Sequence, residues 1–207
     1  MDFYRRNLPH WQPKGAEFFI TFRLAGSLPK SVINHLKEKY IQLKKLKSNE
    51  LSANQVSNFE AKIFASYDES LEKELTGPTW LSNEKIAKVV AEALHFYDQS
   101  RYDLYAYTIM SNHVHLVFRH IEKYDVDLPV TSIMKQIKSY TAKEGNKLLD
   151  RKGAFWQSES YDRVIREEQE LENTIKYTLY NPVKAELIEE WKQWPFTYCK
   201  PDFVGGL

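Results

Sequence analysis

Two histidines, His113 and His115, stand two residues apart in the run NHVHLVF. If that run is a β-strand, both imidazoles project from one face, roughly 7 Å apart along it, and two such imidazoles can share one metal ion. The same pattern also fits two half-buried strand histidines with nothing between them, so a third ligand and a reactive group are needed to raise it above coincidence. Tyr177 and Asn181 supply one of each type. They are four apart in a stretch of helical periodicity, which puts both on one face about 6 Å apart along the axis. An amide carbonyl can ligate and a phenol can attack. The plainer alternative is a core aromatic and a helix-stop residue before Pro182. A zinc hydrolase is disfavoured, because no H-E-x-x-H occurs and no Asp, Glu or further His stands at a matching spacing.

The elements that must position these residues follow from the pattern of the chain. Its 207 residues, 43% hydrophobic and rich in Tyr, Phe and Trp, can bury one sizeable core. A net charge of +1 argues against an unselective nucleic-acid coat and leaves room for local basic surfaces. The single cysteine, Cys199, excludes an internal disulfide and fits a reducing compartment. No apolar run approaches a membrane span and MDFYRRNLPHWQPKG lacks the apolar core of a signal peptide, so the expected location is the cytoplasm.

Arg5, Arg6, Pro9, Trp11 and Pro13 suit an extended arm. EFFITFRL, Glu17 to Leu24, is the expected first strand. Two helical patterns follow, one from Lys30 and one from Val56 to the Gly77-Pro78 stop, which read as a helical arm or insertion at about 31–77. A third helix is expected near Ser82 as N-cap, leading to strands at Leu104 to Ile109 and Val114 to Phe118, joined by the turn-prone pair Ser111-Asn112. Asp125 to Pro129 reads as a loop, and Thr131 as the cap of a helix to about Leu149 that carries Lys135, Lys138, Lys143 and Lys147. Ala154 to Gln157 and Tyr161 to Arg166 read as strand material. The helix from Glu167 is expected to end at Asn181, because proline steers the residue before it away from helical geometry. His95 has no partner at ligand spacing and reads as structural or surface. The Trp-rich tail reads as a cover. Together these elements predict an α+β domain with a ferredoxin-like or RRM-like antiparallel sheet, helices stacked on one face, and a helical insertion.

At this point the motifs resemble a known family. MSNHVHLVF is similar to the HUH motif (His, bulky hydrophobic, His) of single-strand DNA transposases. IKYTLYNPVKAELI resembles the tyrosine helix of the branch associated with repeated extragenic palindromes, the REP-associated tyrosine transposases. FFITFRLAGSLP, FWQSESYDRVIR and WPFTY resemble that branch too, and the likeness is weakest over about 31–77. The resemblance implies that His113, His115 and Asn181 bind a divalent metal, Mg²⁺ with Mn²⁺ as a substitute, and that Tyr177 is the nucleophile. Asn181 departs from the Gln of many insertion-sequence relatives, and Ser111 stands where proline is common. The implied reaction is metal-dependent nicking and rejoining of single-stranded or hairpin DNA through a 5′-phosphotyrosine, with a free 3′-hydroxyl. Arg5, Arg6, Lys135, Lys138, Lys143, Arg163 and Arg166 are the candidate phosphate contacts. Tyr161 and Tyr180 are rival nucleophiles, each lacking a ligand-type residue four positions on. The oligomeric state stays open between monomer and homodimer, and the alternative is a non-catalytic nucleic-acid binder with an RRM-like sheet.

Overall fold

A computed structural model describes residues 15–47, 53–73, 77–121 and 128–205. Among the described residues the chain divides into two compact units, one within 26–78 and the other made of 15–25 and the residues from 79 on. Within the first, helices α1 (Lys30–Lys47) and α2 (Ala53–Lys73) pack on each other. Arg5 and Arg6 lie outside the described residues.

The second unit is built on a five-stranded antiparallel sheet: β1 (Glu17–Arg23), β2 (Tyr102–Ile109), β3 (His113–His120), β4 (Tyr161–Ile165) and β5 (Thr197–Cys199). Their spatial order is β4-β1-β3-β2-β5, with every pairing antiparallel. Its helices are α3 (Glu84–Phe96), α4 (Val130–Leu148), α5 (Glu168–Lys184) and the short α6 (Pro201–Val204). The expected α+β antiparallel fold is therefore the one observed.

Side chains alternate across the strands, and the two faces have different neighbours. Phe18, Ile20 and Phe22 of β1 and Val114, Leu116 and Phe118 of β3 form one core with Ile86, Val90 and Leu94 of α3 and Ile133 and Ile137 of α4. That helix pair is the ferredoxin-like layer. The intervening residues, Phe19 and Thr21 on β1 and His113 and His115 on β3, face the other way, and α5 crosses that side over β2 and β3. With both faces covered, β2 is buried along its full length, which explains why it reads as a nearly unbroken apolar run.

Several local expectations are corrected. The N-cap of α3 is Asn83, not Ser82: its side chain accepts from the Lys85 N–H at 3.0 Å. α4 begins at Val130 after Pro129, with no side-chain cap from Thr131. Of Ala154 to Gln157, only Trp156 bridges a strand partner, Leu24, because the segment turns to insert Phe155 and Trp156 into the core. The Trp-rich tail supplies a fifth strand as well as cover.

The largest correction concerns Pro182. The helix continues through it to Lys184. A proline one turn from a helix end removes one N–H, and the chain here stops by a different device. The Leu187 N–H reaches back to Pro182 O (3.0 Å) and the Glu186 N–H to Val183 O (2.9 Å), with Glu186 at φ 58°. This is a Schellman stop whose left-handed position holds Glu in place of the usual Gly. A left-handed non-glycine costs about 1–2 kcal/mol, against about 0.5–1 kcal/mol of extra chain entropy for glycine. Glu186→Gly is accordingly expected to raise stability by about 0.5–1 kcal/mol, read as an increase in Tm by calorimetry. A lower Tm would mean the stop is held by the Glu186 side chain.

Candidate functional site

The β2–β3 turn fixes where the two histidines begin. The Met110 N–H donates to His113 O at 2.9 Å, while the turn carbonyls of Ser111 and Asn112 accept from the backbone N–H groups of Leu81 (3.1 Å) and Leu24 (2.8 Å). With its backbone held from outside, Asn112 turns its Oδ1 to His113 Nδ1 at 2.6 Å. One strand over, Thr21 stands opposite His115 in the β1–β3 register, and its Oγ1 meets His115 Nδ1 at 2.8 Å.

An amide oxygen can only accept, so His113 carries its proton on Nδ1 and its Nε2 lone pair is left outward. Thr21 Oγ1 allows His115 the same tautomer. The two Nε2 atoms converge to 3.1 Å. Two nitrogens bound to one ion at about 2.1 Å each lie about 3.0 Å apart at a right angle and about 3.4 Å apart at a tetrahedral one. The donor set thus fits a shared cation, with a spacing closer to octahedral than to tetrahedral. Both histidines are fully buried.

Tyr177 comes to this point from α5. Its ring meets His115 edge-on at 5.7 Å and Phe19 at 6.1 Å, while Phe19 stacks on His115 at 5.6 Å. Tyr177 is half-buried, so one side of it is open to a substrate. Asn181, one turn on, is buried, and the persistence of the helix past Pro182 keeps it on the Tyr177 face. Of the rival tyrosines, Tyr161 on β4 also edges onto Phe19, at 6.3 Å, whereas Tyr180 turns outward beneath Lys176. His95, read from sequence as structural or surface, is exposed and touches Tyr107 Oη through Nε2 at 3.3 Å.

The basic residues separate into two groups. Lys135, Lys143 and Lys147 are exposed along the outer side of α4, where Tyr140 is 54% exposed among them. Lys138 is tied down: its Nζ donates to Gln157 O (2.6 Å), Ser158 O (3.0 Å) and Ser160 Oγ (3.2 Å), pinning the lead-in to β4. Arg163 is ion-paired with Glu170, and the Arg166 backbone N–H is bound by the same carboxylate at 3.0 Å. Thr21 and Asn112 are the site residues that the sequence reading missed. Asn112 was in view as a turn former, while Thr21 has no signal short of the strand register.

Side chains behind metal-binding histidines typically change affinity about 10–100-fold when removed. Asn112→Ala should therefore weaken Mn²⁺ binding by that order, measured by electron paramagnetic resonance of free Mn²⁺. Unchanged affinity would show that the Nδ1 contact does not organise His113.

Comparison with known proteins supplies the family. Residues 79–180 match the profile of the family described as "Transposase IS200 like". A Haemophilus influenzae protein named for the REP-associated tyrosine transposases is 28% identical over 102 residues, which are 46% of this chain and 58% of that protein. The chain thus matches little more than half the length of that curated relative. A solved structure of a REP-associated tyrosine transposase bound to a REP hairpin has the same fold, with a TM-score of 0.53 at 16% identity over 95% of this chain and 82% of the other. Residues 79–180 thus match the IS200-like transposase family, and the relatives that the chain resembles are REP-associated tyrosine transposases.

Proposed function

We propose that this protein nicks and rejoins single-stranded DNA beside hairpins of repeated palindromic sequence, using Tyr177 as nucleophile, His113, His115 and Asn181 as metal ligands, and Mg²⁺ (or Mn²⁺) as the ion. On this reading 1–207 is a single transposase domain with a helical insertion at about 31–77, working in the cytoplasm where its DNA lies. The observation that carries it is the convergence of His113 Nε2 and His115 Nε2 to 3.1 Å, with Tyr177 edge-on to the His115 ring.

A tyrosine phenol is protonated near neutral pH and a phosphodiester is anionic, so attack needs both orientation and charge neutralisation. Neutralisation of a non-bridging phosphate oxygen is the chemistry a divalent ion would supply when bound. Asn112 and Thr21 orient the imidazoles through contacts to their Nδ1 atoms. Phe19 packs against His115, Tyr177 and Tyr161 at once, so the three rings brace one another beside the site. In the nicking step the Tyr177 Oη–P bond forms and the P–O3′ bond breaks, leaving a 5′-phosphotyrosine. The phenolic proton is lost and the departing 3′ oxygen takes one up. Because the phosphoryl bond is conserved, rejoining to another 3′-hydroxyl requires no ATP.

Incubation with 3′-labelled single-stranded hairpin DNA and Mg²⁺, followed by a denaturing gel, tests the nucleophile. Wild type should retain label at protein mass and Tyr177→Phe should lose it while keeping hairpin affinity, since one hydroxyl is removed and nothing else. Adduct that survives in Tyr177→Phe and disappears in Tyr161→Phe would move the nucleophile to β4.

DNA contact is assigned to the outer side of α4, through Lys135, Lys143 and Lys147, with Arg5, Arg6, Arg163 and Arg166 as further candidates. The hydrogen bonds of Lys138 give it a structural part besides any phosphate contact. Lys143→Glu with Lys147→Glu should weaken hairpin binding and flatten the slope of log K against log salt by about 0.9 for each duplex phosphate that is no longer neutralised. An unchanged slope would return that face to solvent.

A further inference from the structure

Tyr177 also has a neighbour outside the proposed metal ligands and the packed rings. Lys184 lies seven residues on, two turns along α5, and its Nζ stands 5.5 Å from the centre of the Tyr177 ring. Seven residues of α-helix return to within about 20° of the starting direction, so the two side chains share one face. They do so here only because the helix continues through Pro182 and closes at Ala185, one residue beyond Lys184. Lys184 is exposed, so its ammonium can meet a substrate from solvent. Phe19 and His115 also meet the phenol ring, both edge-on.

We propose that Lys184 binds the scissile phosphate on the tyrosine side and stabilises the charge that builds there as Tyr177 attacks. This rests on the reading of Tyr177 as nucleophile. When the Oη–P bond forms before the P–O3′ bond has fully broken, negative charge concentrates on the non-bridging oxygens. The histidine pair is placed to serve one of them through its ion. A second oxygen, turned toward α5, has Lys184 within the sweep of a flexible four-carbon stem. The lysine gives up no proton, so the reaction's balance is unchanged. Its contribution is a positive charge that is stronger against the transition state than against the singly charged ground state.

The test uses the full chain and a hairpin oligonucleotide with single-stranded flanks taken from the DNA bordering the gene. Equilibrium binding is measured in a Tyr177→Phe background, where no cleavage intervenes. Lys184→Gln should lower the slope of log K against log salt by about 0.7, the value for one single-strand phosphate, and Lys184→Arg should restore it. In the Tyr177 chain, Lys184→Gln should slow single-turnover adduct formation about 100-fold at saturating DNA, with Tm unchanged, and Lys184→Arg should recover most of the rate. A neutral methylphosphonate at the linkage that wild type cuts should remove the difference between lysine and glutamine. An unchanged salt slope, or a rate loss equally large on the methylphosphonate, overturns the assignment. A wild-type chain that binds the hairpin and forms no adduct overturns the cleavage reading instead, and the salt slope then decides on its own whether Lys184 touches phosphate.

Discussion

The site depends on the register of β1 against β3. His115 is a useful ligand only if its Nε2 lone pair faces His113, and that requires its Nδ1 proton to be held from behind. Thr21 can accept that proton because it is paired with His115 across the strands and its Oγ1 is 2.8 Å from Nδ1. A slip of one residue would turn Thr21 to the α3/α4 core and bring Phe22 or Ile20 round in its place. The core makes that slip very costly, since Phe18, Ile20 and Phe22 are all buried on the other face. Hydrophobic burial on one side of the sheet therefore places the hydrogen-bond partner of a polar group on the other.

The same division explains what was legible in the sequence. The hairpin, the strand at Glu17 and the helices from Lys30, Val130 and Glu168 follow from apolar periodicity, which burial on one face or both imposes. The histidine pair and the Tyr177–Asn181 pair were legible because each lies within one element, where spacing converts directly into geometry. Thr21 was not, since its role arises from a pairing of strands more than ninety residues apart. β5 was missed because three residues at a sheet edge carry too little pattern to separate them from a loop. The stop of α5 was misplaced for a more specific reason: the left-handed residue that ends it is Glu186, and the usual glycine signal is absent.

Charge follows similar logic. Lys135, Lys138, Lys143 and Lys147 look alike in the sequence, but a lysine contributes to a binding surface only if its amine is not already committed. Position 138 falls toward the loop before β4, where two carbonyls and the Ser160 hydroxyl accept from its amine. Positions 143 and 147, four apart, share the outer side of α4 with Tyr140, where an unpaired base could stack and phosphates could be paired. The net charge of the chain conceals this, since the Glu-rich segments balance the total without neutralising that side of the helix.

α5 brings three chemically different groups onto one line: the phenol at 177, the amide at 181 and the ammonium at 184. Steps of four and then three residues keep all three on a single stripe, while Leu171, Ile175 and Leu179 anchor the helix. Thr174 and Thr178 bond back to the carbonyls of Glu170 and Thr174, at 2.7 and 2.8 Å, so their hydroxyls are satisfied within the helix and add no polar demand to its packing. The stripe can then move only as a unit relative to the histidines, which are fixed to the sheet by their own Nδ1 contacts. Tyr177 meets His115 directly, and Phe19, touching both rings, braces that contact from the side. A helix that ended at Asn181 would keep the phenol and the amide and lose the cation, so the continuation through Pro182 adds a third chemical function to the stripe without changing the position of the first two.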